Sequence, residues 1–210
     1  MLNEELWLKT VAFHGHICPG IAVGYKASRC VLELFGCLGK TIGETHYAIV
    51  ENDVCGIDGV QFVTGCTLGN DSLIVENQGK FAFSWVGKKS GNGFRLLLKV
   101  PLWLDEEPIE LHKKVKLEIA TVEEKQRFMF LREKRGLELY QMTNAELFQC
   151  ETIARRIPGK PRLHSFVRCW ACNESFMKPW AVVRDGQILC SGCAKLREQK
   201  TETLGTPSSL

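Results

Sequence analysis

The stretch RCWACNESFMKPWAVVRDGQILCSGCAK, residues 168–195, limits the possible folds of this chain more than any other segment. It holds two Cys-x2-Cys pairs, Cys169/Cys172 and Cys190/Cys193, separated by 17 residues, which is the spacing of a four-thiolate zinc site. Each pair forms a knuckle that points two sulfurs at one tetrahedral ion. Between the pairs, AVVR and QILC flank Asp185-Gly186, a strong hairpin signal. The segment is predicted to be a zinc ribbon. Four thiolates leave no open position for water or substrate, so the zinc is expected to be structural. Redox Cys-x-x-Cys chemistry would need one pair in a βαβ context with no second pair opposite. Asn173, just after the first knuckle, tolerates the left-handed backbone that such turns demand.

The ribbon sets the remaining boundaries. Residues 1–156 form one mixed segment, and 157–166 read as a linker because RRIPGKPRLH combines Pro, Gly and charge. The ribbon occupies 167–197, and the segment 198–210 lacks apolar periodicity and is expected to be disordered. A chain of 210 residues that is 45% hydrophobic can bury a sizeable core. No apolar run approaches the ~20 residues that span a bilayer. MLNEELWLKT has neither the basic start nor the apolar stretch of a signal peptide, so no membrane association and a reducing, cytoplasmic location are expected. In such a compartment ten cysteines point to metal ligands or reactive thiols rather than disulfides. Residues 151–210 carry 10 Lys/Arg against 5 Asp/Glu, and residues 1–150 carry 17 against 19. The basic residues are scattered, which favours a solvated face over a nucleic-acid contact.

The second informative stretch is AFHGHICPGIAVGY, residues 12–25, with His14, His16 and Cys18 within five positions. Pro19 suits a first helical turn, and Ile21, Tyr25, Leu32 and Phe35 recur at three-to-four spacing, interrupted by Ser28/Arg29. A helix over 19–36 ended by Gly36 is expected, with small residues at 20, 22, 24, 27 and 28 that permit close backbone approach. Cys18 then lies at the positive end of this helix, where a thiolate is favoured and a lowered thiol pKa is expected. Taken alone, the three residues are equally compatible with an ordinary hydrogen-bonded loop.

ENDVCGIDGVQFVTGCTLGNDSL, residues 51–73, follows a predicted strand, HYAIVE. Asp58 and Gln61 resemble a capping box, so a short helix over 59–64 ending at Gly65 would place Cys55 and Cys66 at its two ends. Two thiols here and the His/Cys run before them make a mixed nitrogen/sulfur set suited to zinc, iron, nickel or copper.

Taken together, FHGHICPG at 13–20 and DVCGIDGVQFVTGCTLGN at 53–70 resemble the FmdE family, named for the E component of formylmethanofuran dehydrogenase, and the appended ribbon is similar to that of many members. The resemblance spans about residues 7 to 195. It implies an α+β fold, a mixed helix and sheet core followed by the small four-cysteine ribbon, a tight homodimer, and a Cys/His-lined metal site in the core. By position, the site residues it implies are His16, Cys18, Cys55 and Cys66, with His14, Asp58 and Gln61 nearby. The cofactors would be zinc in the ribbon and a second transition metal, zinc or other, in the core. The family name implies a molybdenum or tungsten oxidoreductase of one-carbon metabolism as partner. The chain has no molybdopterin or iron–sulfur ligand pattern, so an accessory role is expected rather than the redox step itself.

The remainder reads as scaffold. KFAFSWVG (80–87) and FRLLLKV (94–100) are predicted strands, and 122–142 a helix with Phe128, Leu131 and Leu139 turned inward. A short helix begins at Asn144. Cys30, Cys37 and Cys150 are expected to be buried, inert thiols, and His112 and His164 to be surface or structural residues. Three functions fit: a metal-handling accessory protein, a zinc-ribbon regulatory or nucleic-acid- or protein-binding module, and a thiol enzyme with Cys18 as nucleophile and His16 or His14 as base.

Overall fold

The computed structural model describes residues 4–158 and 165–204. The chain divides into two compact units, Met1–Ile157 and Pro158–Leu210, each built around its own core. Most of the expected linker, His164 within it, and residues 205–210 lie outside the described residues.

In the first unit, helices α1 (Glu4–His14) and α2 (Pro19–Leu34) precede strand β1 (His46–Val50) and helix α3 (Gly56–Thr64). Strands β2 (Leu73–Val75), β3 (Ala82–Gly87) and β4 (Asn92–Leu98) follow, then helices α4 (Glu107–Lys116), α5 (Val122–Gln141) and α6 (Asn144–Leu147) and strand β5 (Phe148–Ala154). The sheet order is β2-β1-β3-β4-β5, with β1 and β2 parallel and every other pair antiparallel. Along these strands the side chains alternate: Ala48, Val50, Phe83, Trp85 and Leu96 join the main core beneath the helices. Glu51 and Arg95 point to the other face and form a two-pronged ion pair at 2.6 and 2.9 Å, which holds the Glu51 carboxyl below its usual range.

The sequence suggests one apolar stripe on α2, but the helix is buried on nearly all sides. Contacts with α1, α3, α5 and the sheet surround it, and even Ser28 is enclosed, donating to the Gly59 carbonyl at 3.4 Å. Trp7, Tyr25 and Tyr140 lock α1, α2 and α5 together, with ring centroids 4.4 to 5.8 Å apart. The crossing of α2 and α3 is closer still. A Cβ on Gly24 would lie 2.1 Å from the Gly56 carbonyl oxygen, one on Gly59 2.6 Å from the Tyr25 amide nitrogen, and one on Gly20 2.8 Å from the Cys55 Cβ. Bare backbone therefore touches bare backbone, which no other residue type permits. At its far end α3 stops where Gly65 turns left-handed at φ 70°.

The capping box expected from Asp58 and Gln61 does not form. Cys55 occupies the cap, α3 starts at Gly56, and the Gln61 side chain accepts from the Leu68 amide instead. A real capping box closes α5, between Thr121 and Glu124. Cys30 is buried, whereas Cys150 is exposed on β5 and Cys37 only half-buried, so the reading of all three as buried thiols fails for the latter two.

The second unit contains β6 (Phe166–Arg168) paired with β7 (Ser175–Met177), a single 3-10 turn at Lys178–Trp180, the hairpin β8 (Ala181–Arg184) with β9 (Gln187–Cys190), and helix α7 (Ser191–Leu204). Asp185 and Gly186 both take positive φ, 50° and 74°, as the hairpin signal requires, and Asn173 takes φ 58°. Helix α7 runs through 198–204, where the sequence predicts disorder.

The α2/α3 crossing carries a direct test. Because the neighbouring backbone cannot yield to a methyl group, Gly24→Ala is expected to reduce the unfolding free energy by at least about 3 kcal/mol, the upper end of overpacking costs, in urea titration. A loss below about 1 kcal/mol would show that the helices separate cheaply.

Candidate metal centres

Among the described residues, two groups of side chains could hold a metal ion. In the core, the ligand atoms of His14, His16, Cys18 and Cys55 all lie within 4.8 Å of one another, and the same holds for Cys169, Cys172, Cys190 and Cys193 in the ribbon. Both donor sets suit a borderline ion such as zinc: two imidazoles with two thiols, and four thiols.

The core group sits where two helices begin. Cys18 caps α2, its sulfur accepting from the Ile21 amide at 3.4 Å, and Cys55 caps α3. The glycine-faced crossing brings these two caps together, so the positive ends of two helices meet the same pair of thiols. His14 closes α1, and left-handed Gly15, φ 94°, then turns the chain so that His16 faces His14 with ring centroids 4.4 Å apart. His14 Nε2 stands 3.7 Å from the Cys18 sulfur, and its Nδ1 meets the Asp58 carboxylate at 2.7 Å. A carboxylate behind an imidazole fixes its tautomer and directs the other nitrogen outward, as in histidine ligands to zinc. Gly136 lets α5 run against the loop, since a Cβ there would lie 2.9 Å from the Cys18 carbonyl carbon.

The two thiols are hydrogen-bonded to each other. The hydrogen bond from Cys18 drops the Cys55 pKa to about 6, while the same bond and burial push the Cys18 thiol up. The sequence places the lowered thiol at Cys18; in the folded chain it is Cys55, because the hydrogen bond between them lowers Cys55 and raises Cys18, which is also almost fully enclosed. Burial, with Arg132 and His14 nearby, lowers the His16 pKa to about 4, so its imidazole is neutral at physiological pH and keeps a free lone pair.

Cys66 is not part of this group. It lies past the C-terminal end of α3, fully buried, with its sulfur 3.9 Å from the His46 carbonyl, and burial raises its pKa. A helix with one cysteine at each end separates them by its own length, so Cys55 and Cys66 could not both join His14 and Cys18.

The group opens into a cavity of about 930 Å³. Among its lining residues are His112 and Lys116 from α4, Phe128 and Arg132 from α5, and Trp103. The sequence singles out none of these for a site. His112 stacks parallel on Phe128, ring centroids 5.2 Å apart.

In the ribbon, the first knuckle follows β6, with the Asn173 amide donating to the Cys169 carbonyl at 2.9 Å. Cys190 ends β9 and Cys193 lies in the first turn of α7. The Cys190 amide donates to the Cys169 sulfur at 3.3 Å, and such backbone bonds, with that of Cys172 foremost, hold the Cys169 pKa at about 6.

Fold and sites together describe an α+β protein with two separate thiol-rich clusters able to hold metal. The family described as FmdE, molybdenum formylmethanofuran dehydrogenase operon, matches residues 13–149, and this chain belongs to it. A probable S-adenosyl-L-methionine-binding protein of Archaeoglobus fulgidus is 34% identical over 197 residues, 90% of this chain and 52% of that protein. The chain thus spans about half the length of that curated relative. The crystal structure of an FmdE-like protein of tungsten formylmethanofuran dehydrogenase type from Syntrophus aciditrophicus is 26% identical, covers 91% of both chains and superposes with a TM-score of 0.56. Among the described residues no helix is long and apolar enough to cross a membrane.

The carboxylate behind His14 is open to test. Asp58→Asn is expected to weaken zinc binding by the core group about 10- to 100-fold, read by competition with a chromophoric chelator. Unchanged affinity would mean that His14 needs no carboxylate partner.

Proposed function

We propose that this chain is a metal-binding accessory protein of a molybdenum- or tungsten-dependent formylmethanofuran dehydrogenase system. The observation that carries the reading is the convergence of four nitrogen and sulfur donors on two helix N-termini at the edge of a cavity, in a member of that family. The proposed core ligands are His14, His16, Cys18 and Cys55, and the proposed ribbon ligands Cys169, Cys172, Cys190 and Cys193, the ribbon ion being structural zinc. An ion in the core would supply a Lewis-acidic or redox-active centre facing the cavity. Asp58 orients His14, His16 offers a neutral imidazole, and Cys55 offers a ready thiolate.

A homodimer and a cytoplasmic location belong to the same reading. Exposed Leu117, Ile119 and Val122, at the turn between α4 and α5, and Met129 and Phe130 on α5 support a partner surface. All ten cysteines are free thiols, which suits a reducing compartment.

A second reading, binding of S-adenosyl-L-methionine, draws on the name of the Archaeoglobus relative and on a cavity with room for a nucleoside-sized ligand. A thiol enzyme using Cys18 and His16 is less favoured, since Cys18 is buried and holds its proton. A regulatory or nucleic-acid-binding ribbon, resting on exposed Phe166, Trp170 and Trp180, ranks behind the metal-handling role.

Elemental analysis of protein purified without added metal tests the proposal. The full chain is expected to carry about two ions, and both the Cys18→Ser/Cys55→Ser and the Cys169→Ser/Cys172→Ser chains about one. Retention of both ions by the Cys18→Ser/Cys55→Ser chain would overturn the core site.

A further inference from the structure

We propose that the cavity beside the core cluster binds an organic carboxylate with a flat, apolar body, and that Arg132 is the residue that holds its charge. The proposal rests on the metal reading above only for what lies at the cavity floor. At about 930 Å³ the cavity is of small-molecule size, and Phe81, Leu102, Trp103 and Val115 give it largely apolar walls.

Arg132 stands apart from the arginines of this unit that hold ion pairs. Arg95, Arg127, Arg135 and Arg155 each meet a carboxylate, on Glu51, Glu107, Glu138 and Glu76 respectively. No such ion pair forms at Arg132 among the described residues, and its Nε is buried with no hydrogen-bond partner. Its guanidinium instead lies over the Phe128 ring, 5.6 Å from the centroid, on the cavity wall. Phe128 in turn stacks parallel with the His112 ring.

A partly buried cation with an unmet donor is costly unless something completes it. The carboxylates lining the cavity do not: Asp58 is engaged by His14, and Asp53 is exposed. A guanidinium fork matches the two oxygens of a carboxylate. A phosphate site recruits several cations or a row of free backbone amides. Here the start of α2 is already capped by the Cys18 sulfur, the Ile57 and Asp58 amides at the start of α3 donate to the Val54 and Cys55 carbonyls, and the other lining cation, Lys116, is exposed. The observations thus favour a singly charged carboxylate whose ring lies along Trp103 and Phe81.

Calorimetric titration of the purified full chain with indole-3-acetate and indole-3-acetamide tests this, since the two probes share a ring and differ in charge. Indole-3-acetate is expected to bind about tenfold or more tighter, and Arg132→Gln to erase the difference while far-UV circular dichroism and metal content stay unchanged. Equal affinity for the two probes, no binding of either, or discrimination that survives Arg132→Gln would overturn the proposal. The same titration on the Cys18→Ser/Cys55→Ser chain separates it from the metal reading. Discrimination there supports the Arg132 site whatever the core holds, whereas a wild-type chain that carries core metal without discriminating sinks the Arg132 site alone.

Discussion

The contact on which this molecule depends is the crossing of α2 and α3, where glycines replace side chains on both sides. Gly24 lies against Gly56, and Gly59 against the Tyr25 amide, at separations that a single methyl group would close. This closeness costs flexibility in the unfolded chain, since each glycine loses more conformational freedom on folding than any other residue. What it secures is position. The start of α3 is brought against the start of α2, so two cysteines 37 residues apart become neighbouring helix caps.

Everything in the core site follows from that placement. Two helix N-termini favour negative charge at one point, and the hydrogen bond between the two thiols makes Cys55 the more acidic partner. The histidines arrive from α1 through one left-handed glycine, and Asp58, in the first turn of α3, reaches back to fix His14. The ribbon achieves its four-thiol cluster differently. Short hairpins and backbone amides aim its sulfurs, with no large core behind them. The ribbon cluster uses thiols alone, as closed structural sites do, whereas the core cluster mixes donors and faces a cavity.

How much of this is legible in the sequence depends on distance along the chain. The ribbon is written locally: pair spacing, the Asp185-Gly186 turn and the left-handed Asn173 all sit within one stretch, and all three appear in the fold. The start of α2 is equally readable, because Pro19 and the small residues behind it act within one helix. Asp58 reads as a cap because a local pattern competes with a partner 44 residues away. Cys66 is drawn into the site because spacing alone cannot tell which end of a helix faces a neighbour. His112 and Arg132 leave no signal at all. They join the site through α4, whose few buried positions give it little apolar pattern, and through α5, where an arginine amid other charges reads as solvated surface.

The central claim is that the core cluster holds a metal through mixed nitrogen and sulfur donors. X-ray absorption at the metal edge of the Cys169→Ser/Cys172→Ser chain isolates that cluster from the ribbon. The account predicts about two sulfur neighbours near 2.3 Å and about two nitrogen neighbours near 2.0 Å. A shell of light atoms with no sulfur would contradict it, because Cys18 and Cys55 would then have no part in holding the ion.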